Sequence, residues 1–389
     1  MTSNHEVVAR GLSSNLHSGL FNRIQAFLAP ADIRINGTRD WDIQLYNKNT
    51  FKKILTHGNL GFAESYMNAW WDCKRLDLMF ANAINAELNR HLIGLAKTKI
   101  FISRLTYGLF NRQTLARSFK VGQVHYDVGN KLYQKMLDPT MNYSCGYWKN
   151  ANTLAQAQLN KMELICQKLK LQPGMSLLDI GCGWGSLAAY AAKNYGVHVT
   201  GITISKEQQK LAIANVQGLP VEIKLVDYRY VKGEFDRVVS VGMFEHVGPK
   251  NYDVFFESVK RLLKKDGLFL LHTIGEEITR YAPDPFLEKY IFPNGKIPSR
   301  QQINDASENV FRLEDWHNFG VDYDATLMAW AKNFEESWPE ISEDYDDQFY
   351  RMWRYYLYSC AAFFRTRQGQ LWQLVYCHLN NLGSYTSVR

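Results

Sequence analysis

Three glycines alternate with other residues in the run LLDIGCGWG at residues 177–185. The apolar residues at its start predict a buried strand. The glycines at 181, 183 and 185 predict a tight turn, where backbone can come close to a ligand without a Cβ in the way. The next residues predict a helix, whose first turn offers free N–H donors. This order is typical of a nucleotide-binding turn, although dinucleotide-binding folds use a similar device.

Asp179 closes the predicted strand immediately before the glycines. An acidic residue there is typical of methyltransferases that use S-adenosylmethionine (SAM), and it differs from the GxGxxG fingerprint. Such enzymes often end their second strand in an acidic residue that binds the ribose, but this chain has Gly201 and Ile202 there. The segment TISKEQ at residues 203–208 offers hydroxyls and an amide for equivalent hydrogen bonds.

Asp227, Tyr228 and Arg229 follow the third predicted strand, where such folds usually flank an adenine. Any one of the three could be an ordinary loop residue. Contact with the ligand is the favoured interpretation for each.

Short strands alternate with helices from Met175 onward, which predicts βαβ units and a parallel sheet of the α/β class. The predicted strands cover residues 176–180, 197–202, 221–226, 237–241 and 268–272, and the helices between them cover 186–194, 206–217 and 252–263. Beyond Gly275 the pattern is irregular and aromatic, with helices predicted at 327–334 and 347–364 and a closing strand near 372–377.

The first hundred residues predict a smaller, mostly helical domain. Apolar residues recur there at helical spacing, first at Leu16, Leu20, Ile24, Phe27 and Leu28 and then at Phe62, Tyr66, Met67 and Trp70. The predicted organisation is a helical N-terminal domain at 1–100, a basic linker at 101–122 and a catalytic domain at 123–389.

No aspartate or glutamate occurs between Arg90 and Tyr126, where lysines and arginines alternate with leucine, isoleucine and phenylalanine. One interpretation is a helical linker that packs its apolar side on a neighbouring domain. The other is an interfacial segment whose cations each gain about 1 kcal/mol near anionic lipid. Both can hold at once.

The 389 residues are 46% hydrophobic and 21% charged, which predicts a folded protein with a sizeable core and no long disordered tail. No two of the six cysteines have the spacing of zinc or redox motifs, so we expect a reduced compartment and no metal. Residues 1–11 are polar, unlike a secretory signal, and no apolar run approaches the roughly 18 residues of a membrane span. Any membrane contact is therefore expected to be peripheral.

Several motifs together closely resemble the cyclopropane-fatty-acyl-phospholipid synthases, and more distantly the mycolic acid cyclopropane synthases. They are LLDIGCGWG (177–185), TISKEQQ (203–209), DRVVSVGMFEHVGPKNY (236–252) and FLLHTIG (269–275), with further matches at 125–148, 289–295 and 314–320. The segment GFAESYMNAWWD at 61–72 extends the resemblance into the N-terminal domain.

The resemblance implies a Rossmann-like class I SAM-dependent methyltransferase domain with a smaller, mostly helical, lipid-binding N-terminal domain. It implies addition of a methylene from SAM across a cis double bond in an acyl chain of a membrane phospholipid. Methyl transfer to the alkene leaves a carbocation, and a bound bicarbonate ion then removes a proton so that the ring closes. A homodimer in the cytoplasm, peripheral on the inner face of the bacterial membrane, is also implied.

The family positions that hold this bicarbonate correspond here to Cys145, Glu245, His272, Ile274 and Tyr323, with Ile274 contributing backbone. A carboxylate, an imidazole and a phenol can anchor an anion and accept its proton. Glu245 and His272 are also predicted at or just past the ends of strands, where doubly wound sheets place their sites.

Cys360, in YYLYSCAAFFR at 355–365, matches a cysteine that is assigned as active in the family. Its apolar neighbours predict a raised pKa and a buried, unreactive thiol.

The residues that we expect to contact SAM combine the motif positions above with two from the 125–148 match. They are Tyr143, Ser144, Leu177, Asp179, Gly181, Cys182, Gly183, Trp184, Gly185, Thr203, Ile204, Ser205, Gln208, Asp227, Tyr228 and Arg229. Aromatic faces can stabilise the carbocation by about 2 kcal/mol each, and the candidates are Phe244, Tyr281, Tyr290, Tyr323 and Trp316.

Three alternatives remain. Simple methylation or hydroxylation of the lipid shares every step up to the cation. A nucleic-acid methyltransferase fits the positive charge, but there is no NPPY-type motif and the basic segment is interleaved with aliphatic residues more than with stacking rings, so no nucleic-acid partner is expected. A catalytically dead lipid-binding protein is disfavoured because Glu245, His272 and Tyr323 are all present.

Overall fold

The computed structural model describes residues 18–88, 129–280 and 282–389. The predicted boundary near residue 100 and the basic linker at 101–122 lie outside these residues, as do Tyr281 and the helical position Leu16. The described chain contains one seven-stranded sheet, flanked by helices, and one two-stranded sheet near the N-terminus.

The strands of the small sheet are β1 Gln44–Leu45 and β2 Trp71–Asp72, and those of the large sheet are β3 Ser176–Ile180, β4 His198–Thr203, β5 Val221–Leu225, β6 Phe235–Val241, β7 Leu263–Gly275, β8 Phe311–Asn318 and β9 Gln370–His378. The described helices are α1 Ser18–Leu28, α2 Asn49–Met67, α3 Leu76–Asn85, α4 Asn130–Met136, α5 Leu154–Lys168, α6 Ser186–Tyr195, α7 Lys206–Asn215, α8 Tyr252–Leu262, α9 Arg300–Ser307, α10 Val321–Ile341 and α11 Asp347–Arg365.

The order of the large sheet is β5-β4-β3-β6-β7-β9-β8. Strands β3 to β7 pair in parallel, and β9 is inserted antiparallel between β7 and β8. In the register, Asp179 lies opposite Gly201, and Val241 lies opposite His272. Since parallel strands end at the same edge, residues at and after these ends are gathered into one region.

Apolar clusters cover both faces of this sheet, which explains why its central strands are nearly continuous hydrophobic runs. The polar residues that begin the helices act as caps. Ser205 accepts a hydrogen bond from the backbone N–H of Gln208, and Ser299 and Gln302 form a reciprocal capping box.

The α/β prediction is confirmed, and the five strands predicted from residue 176 onward are present. The strand predicted at 268–272 is much longer, and the helix predicted at 327–334 is the middle of α10. Helix α9 and strand β8 were not predicted. Strand β8 is an edge strand whose register shifts between Leu313 and Asp315, and such an irregularity interrupts the alternation that identifies a strand.

The N-terminal helices pack on the C-terminal helices α10 and α11 through one apolar cluster. Three ion pairs also link the N-terminal segment to later parts of the chain. Arg351 and Arg365 of α11 pair with Asp72 (2.9 Å) and Asp77 (2.7 Å), and Lys289, in the π-helical turn Leu287–Ile291, pairs with Glu64 (2.7 Å). The N-terminal segment is mostly helical, as predicted. The division into domains at residues 100 and 122 stays a prediction.

Gly275, the last residue of β7, lies against the Trp372 ring, and a Cβ added there would be 1.9 Å from Cζ3. We expect Gly275→Ala to lower the free energy of unfolding by about 1–3 kcal/mol, because Trp372 is buried and has no room to move. Denaturant unfolding measures this. Gly19→Ala, which meets no atom within 4 Å, is the control. Equal stability of the two variants would contradict the packing described here.

Candidate functional site

The turn between β3 and α6 has the conformation that its glycines predict. Gly181, Gly183 and Gly185 have φ angles of 84°, 55° and 86°, which side-chain-bearing residues rarely adopt. Helix α6 begins at the next residue, Ser186. The turn therefore brings backbone and a helix N-terminus to the wall of a cavity.

Asp179 ends in this cavity and is only 2% exposed. Among the described residues, nothing hydrogen-bonds to its Oδ2. Burial raises its pKa to about 7, against the opposing effect of Lys161. Burying a carboxylate oxygen without a hydrogen-bond partner costs free energy. The position therefore suits a hydrogen-bond donor on a ligand, such as the ammonium group of SAM.

The end of β4 carries a small polar network. The Thr203 hydroxyl donates to the Gln208 side-chain oxygen (2.8 Å), and it accepts from the Ser205 backbone N–H (3.1 Å). A Cβ at Gly201 would lie 2.8 Å from the Ile223 side chain. A side chain at Gly201 would also lie 3.0 Å from Cys182 Cβ, so Ile223 and Cys182 would both have to shift. The hydroxyls and the amide occupy that end of the sheet instead.

Asp227 and Arg229 form a bidentate pair after β5, with Nε–Oδ1 and Nη2–Oδ2 distances of 2.7 Å each. The pair holds the 3₁₀ turn that contains Tyr228, whose ring packs edge-on against Phe255. All three predicted residues line the cavity.

Tyr143 and Ser144 reach the cavity from the loop before α5. The Tyr143 hydroxyl lies 2.8 Å from that of Tyr356, and the Ser144 hydroxyl accepts a hydrogen bond from Lys161 (2.9 Å). Helix α5 thus fixes the cavity side of this loop.

Glu245 follows β6 in a short 3₁₀ turn and is 9% exposed. Its Oε1 accepts the backbone N–H of Ile274 (2.7 Å), whereas its Oε2 is buried without a hydrogen bond from the described residues. Burial raises the pKa of this carboxyl to about 7. The group can therefore exchange a proton near neutral pH.

His272 lies in β7 and is 1% exposed. The Gln373 side-chain nitrogen, which can only donate, lies 3.3 Å from Nδ1, so the ring accepts there and carries its proton on Nε2. That Nε2 has no partner among the described residues. Burial and the charges of Lys161 and Lys168 lower the pKa of His272 well below its usual value, so the ring is neutral.

Tyr323, Cys145 and Ile274 share a small apolar cluster behind this pocket. Burial raises the pKa of both the Tyr323 phenol and the Cys145 thiol well above normal, so both stay protonated. The Tyr323 ring stacks on Phe364 with 4.5 Å between centroids. Tyr323 and Cys145 are therefore neutral, and both line the same cavity as Glu245 and His272.

Cys360 lines the cavity but is half-buried, less buried than predicted. Burial raises the pKa of its thiol to about 12, in the predicted direction. A neutral thiol is a poor nucleophile, which favours an inert wall residue.

All of these groups open on one connected cavity of about 2030 Å³. Part of its wall is formed by the N-terminal helices, and we call this part the apolar tunnel because most of its lining positions are apolar. They include Ile24, Phe27, Phe51, Leu55, Met79 and Phe80. The structure therefore joins the glycine turn, the Glu245–His272 pocket and an apolar tunnel in a single space.

Two predicted cofactor residues do not line this cavity. Leu177 packs into the core beneath the sheet, and a side chain at Gly185 would meet Val216 and Ala212 of the neighbouring helix segment. Of the predicted aromatic residues, only Tyr323 is at the cavity wall in the described structure. Phe244 is core, Tyr290 donates to Glu64, and Trp316 packs on Trp372.

Sequence reasoning also missed several cavity residues. The rings that do line it include Phe286, Phe292, Tyr355, Tyr356 and Phe363, and the missed polar residues include Lys161, His246 and Asn142. His246 follows Glu245 directly, so the EH pair was an available signal. Lys161 had none, because it is one lysine among several on an ordinary helix.

Among the described residues, no cluster of His, Cys, Asp or Glu side chains could hold a metal ion. None of the described helices is both long and apolar enough to cross a membrane.

The strand order, with one antiparallel strand inserted near the edge, and the glycine turn after β3 define a class I SAM-dependent methyltransferase fold. The profile of the mycolic acid cyclopropane synthetase family matches residues 113–374. The chain belongs to this family.

Three relatives illustrate the range of the match. The cyclopropane-fatty-acyl-phospholipid synthase of Escherichia coli K12 is 53% identical over 349 residues, which cover 90% of this chain and 91% of that protein. A probable fatty acid methyltransferase of Pseudomonas putida is 39% identical over 64% of this chain and 67% of its own. The crystal structure of mycolic acid cyclopropane synthase CmaA1, complexed with SAH and CTAB, is 33% identical, with a TM-score of 0.62 over 66% of this chain and 97% of that one.

Proposed function

We propose that this protein transfers a methylene group from SAM to the cis double bond of unsaturated acyl chains in membrane phospholipids, forming cyclopropane fatty acids. The main support is the single cavity in which an apolar tunnel meets both the glycine turn and the buried Glu245–His272 pocket. The 53% identity to the Escherichia coli synthase supports the choice of a phospholipid substrate.

SAM supplies an electrophilic methyl group, strong enough to react with an alkene. The residues of this chain bind it, align the acyl chain and keep water away from the cation that forms on the lipid, since hydration would give an alcohol. The rings of Tyr323 and Tyr356 belong to the cavity wall. Aromatic faces stabilise a desolvated cation by about 2 kcal/mol each without reacting with it.

The proton acceptor in this proposal is a bicarbonate ion held between Glu245, His272 and Tyr323. The polar atoms of the pocket suit this ion, because His272 Nε2–H and the Tyr323 hydroxyl can donate to its oxygens. The unpartnered Oε2 of Glu245 can accept its proton. When the two donors and Glu245 are all present, the ion is held in one orientation and its proton can pass to Glu245.

The first test is mass spectrometry of lipid extracts from cells that express the protein, before and after ozonolysis. A cyclopropane lipid and a methylated alkene lipid have the same mass, and only the alkene is cleaved. We expect unsaturated phospholipids to gain one CH₂ and lose the double bond. Gain of a methyl group with the double bond retained would instead favour simple methylation, the function that the Pseudomonas putida relative's name suggests. Unchanged lipids would contradict both activities.

Glu245→Gln tests the pocket. The amide keeps the size of the side chain but cannot take a proton, so we expect turnover to fall at least 100-fold while the affinity for SAM changes less than threefold. Glu276→Gln is the matched control, since Glu276 is also buried at the cavity wall but pairs with Arg280. Full activity of the Glu245 variant would remove this carboxylate from the mechanism.

The pH dependence of the wild-type enzyme follows from the same group. The pKa of Glu245 is raised to about 7, so the carboxyl is protonated below that pH and cannot accept a proton. With the bicarbonate concentration held constant at every pH, we expect kcat/KM to fall about tenfold per pH unit below about 7, and we expect this acid limb to vanish in Glu245→Gln. An activity that is flat from pH 5 to 8 would contradict the assignment.

We further propose that the protein docks as a homodimer on the inner leaflet of the membrane through its N-terminal domain and the acid-free stretch up to Tyr126. The support for docking is the sequence of that stretch, together with the apolar tunnel that the N-terminal helices line. The homodimer is carried over from the family resemblance.

The membrane contact is tested by binding to vesicles that contain anionic lipid. Changing Lys97, Arg104 and Arg112 together to Ala should weaken binding, and added salt should weaken it steeply in the wild type, because each cation near the surface contributes about 1 kcal/mol. Binding that is insensitive to both changes would contradict an electrostatic contact.

A further inference from the structure

Lys161 is a buried lysine at the wall of the cavity. It lies in the middle of α5 and is 1% exposed. Its ammonium donates to the Asn142 side-chain oxygen and to the Ser144 hydroxyl, each at 2.9 Å. A lysine ammonium has three N–H donors, and these two bonds account for two of them. Lysine is almost never fully buried unless its charge is compensated.

The carboxylate that acts on Lys161 from the same cavity wall is Asp179. None of the ion pairs in the described structure joins the two groups, and Asp179 Oδ2 has no hydrogen bond there. Burial lowers the pKa of Lys161 to about 8 and raises that of Asp179 to about 7. Each charge is therefore desolvated without a full partner in the protein, which costs free energy unless a ligand supplies one.

Three further titratable groups interact electrostatically with Lys161. Asp138 is an additional carboxylate, but its oxygens already accept hydrogen bonds from Thr140 and Asn142. Cys145 is neutral because its thiol pKa is raised by burial, and His272 is neutral because burial, followed by Lys161, lowers its pKa. Among these groups, Asp179 is therefore the one carboxylate that faces the cavity without an ion-pair partner in the described structure, and its charge is opposite to that of Lys161.

We propose that Lys161 and Asp179 together bind the amino acid end of SAM, with Lys161 binding its α-carboxylate and Asp179 its α-ammonium group. The assignment rests on the proposed use of SAM and adds Lys161, which no motif identified, to the binding site. A zwitterion offers the two charges that this wall lacks. The same lysine orients Ser144, so one buried cation fixes both the ligand and the loop that precedes Cys145.

Helix α5 contains a matched control. Lys168 is also buried, at 0% exposure, but it pairs with Asp315 (3.0 Å) and does not line the cavity. In Lys168→Met, Asp315 keeps Arg389 and Ser387 as partners. The two lysines share a helix and a degree of burial and differ in whether they face the cavity.

The experiment compares two ligands by calorimetry. S-adenosylhomocysteine carries the amino acid end, whereas 5′-methylthioadenosine lacks it. We expect Lys161→Met to weaken S-adenosylhomocysteine binding at least tenfold and to change 5′-methylthioadenosine binding less than twofold. Lys168→Met should leave the ratio of the two affinities unchanged. Equal weakening of both ligands by Lys161→Met, or weakening of neither, would overturn the assignment.

The wild-type protein gives a second readout that does not depend on the folding of a variant. The affinity ratio of the two ligands should be highest between about pH 7 and 8. Below this range Asp179 gains a proton, and above it Lys161 loses one. Where Lys161→Gln folds, it serves as an additional reference, because the amine of S-adenosylhomocysteine titrates equally in the presence of either protein. A ratio that is independent of pH from 6 to 9 would overturn the proposal.

Failure of this inference and failure of the proposed function are distinguishable. A wild-type protein that binds neither nucleoside would contradict SAM use and the assignment with it. Binding of both ligands with equal affinity would contradict the roles of Lys161 and Asp179 alone, and the cyclopropanation proposal would stand.

Discussion

The chemistry of this protein depends on polar groups that are kept dry at the ends of parallel strands. Asp179 and Glu245 each bury a carboxylate oxygen that no described residue hydrogen-bonds, and His272 buries an N–H in the same condition. Leaving such atoms unpaired costs about 1–3 kcal/mol each. The sheet tolerates this cost because buried apolar residues cover both of its faces. These unpaired atoms therefore lower the free energy of unfolding, and the site is complete only when ligands are bound.

The N-terminal segment helps to exclude water from the site, and it also lines the apolar tunnel. Its helices pack on α10 and α11 in one apolar cluster, and ion pairs such as Arg365–Asp77 connect the two parts. The cavity is lined by residues of both. A cation on an acyl chain would therefore form in a space lined by residues from distant parts of the sequence.

The parts of the site that sequence could predict are those in which local backbone geometry and chemistry coincide. Glycines at 181, 183 and 185 indicate a turn with positive φ, and Asp179, Glu245 and His272 follow from strand ends and motif context. Lys161 and Gln373 could not be found in this way, because their roles depend on α5 and β9 packing beside distant loops. Phe244, Tyr290 and Trp316 do not line the cavity, whereas Tyr323 does. The reason is related: a ring in the core and a ring at a cavity wall look alike in sequence, and Phe244 is core.

The most direct test of this account is the ionisation of Glu245 in the resting protein, measured by infrared difference spectroscopy of wild type against Glu245→Gln. A dehydrated carboxyl should show a protonated C=O band at pH 6 that disappears with a midpoint near pH 7. A carboxylate that is already fully ionised at pH 5 would mean that water reaches the group, which would contradict the dry pocket on which the mechanism depends.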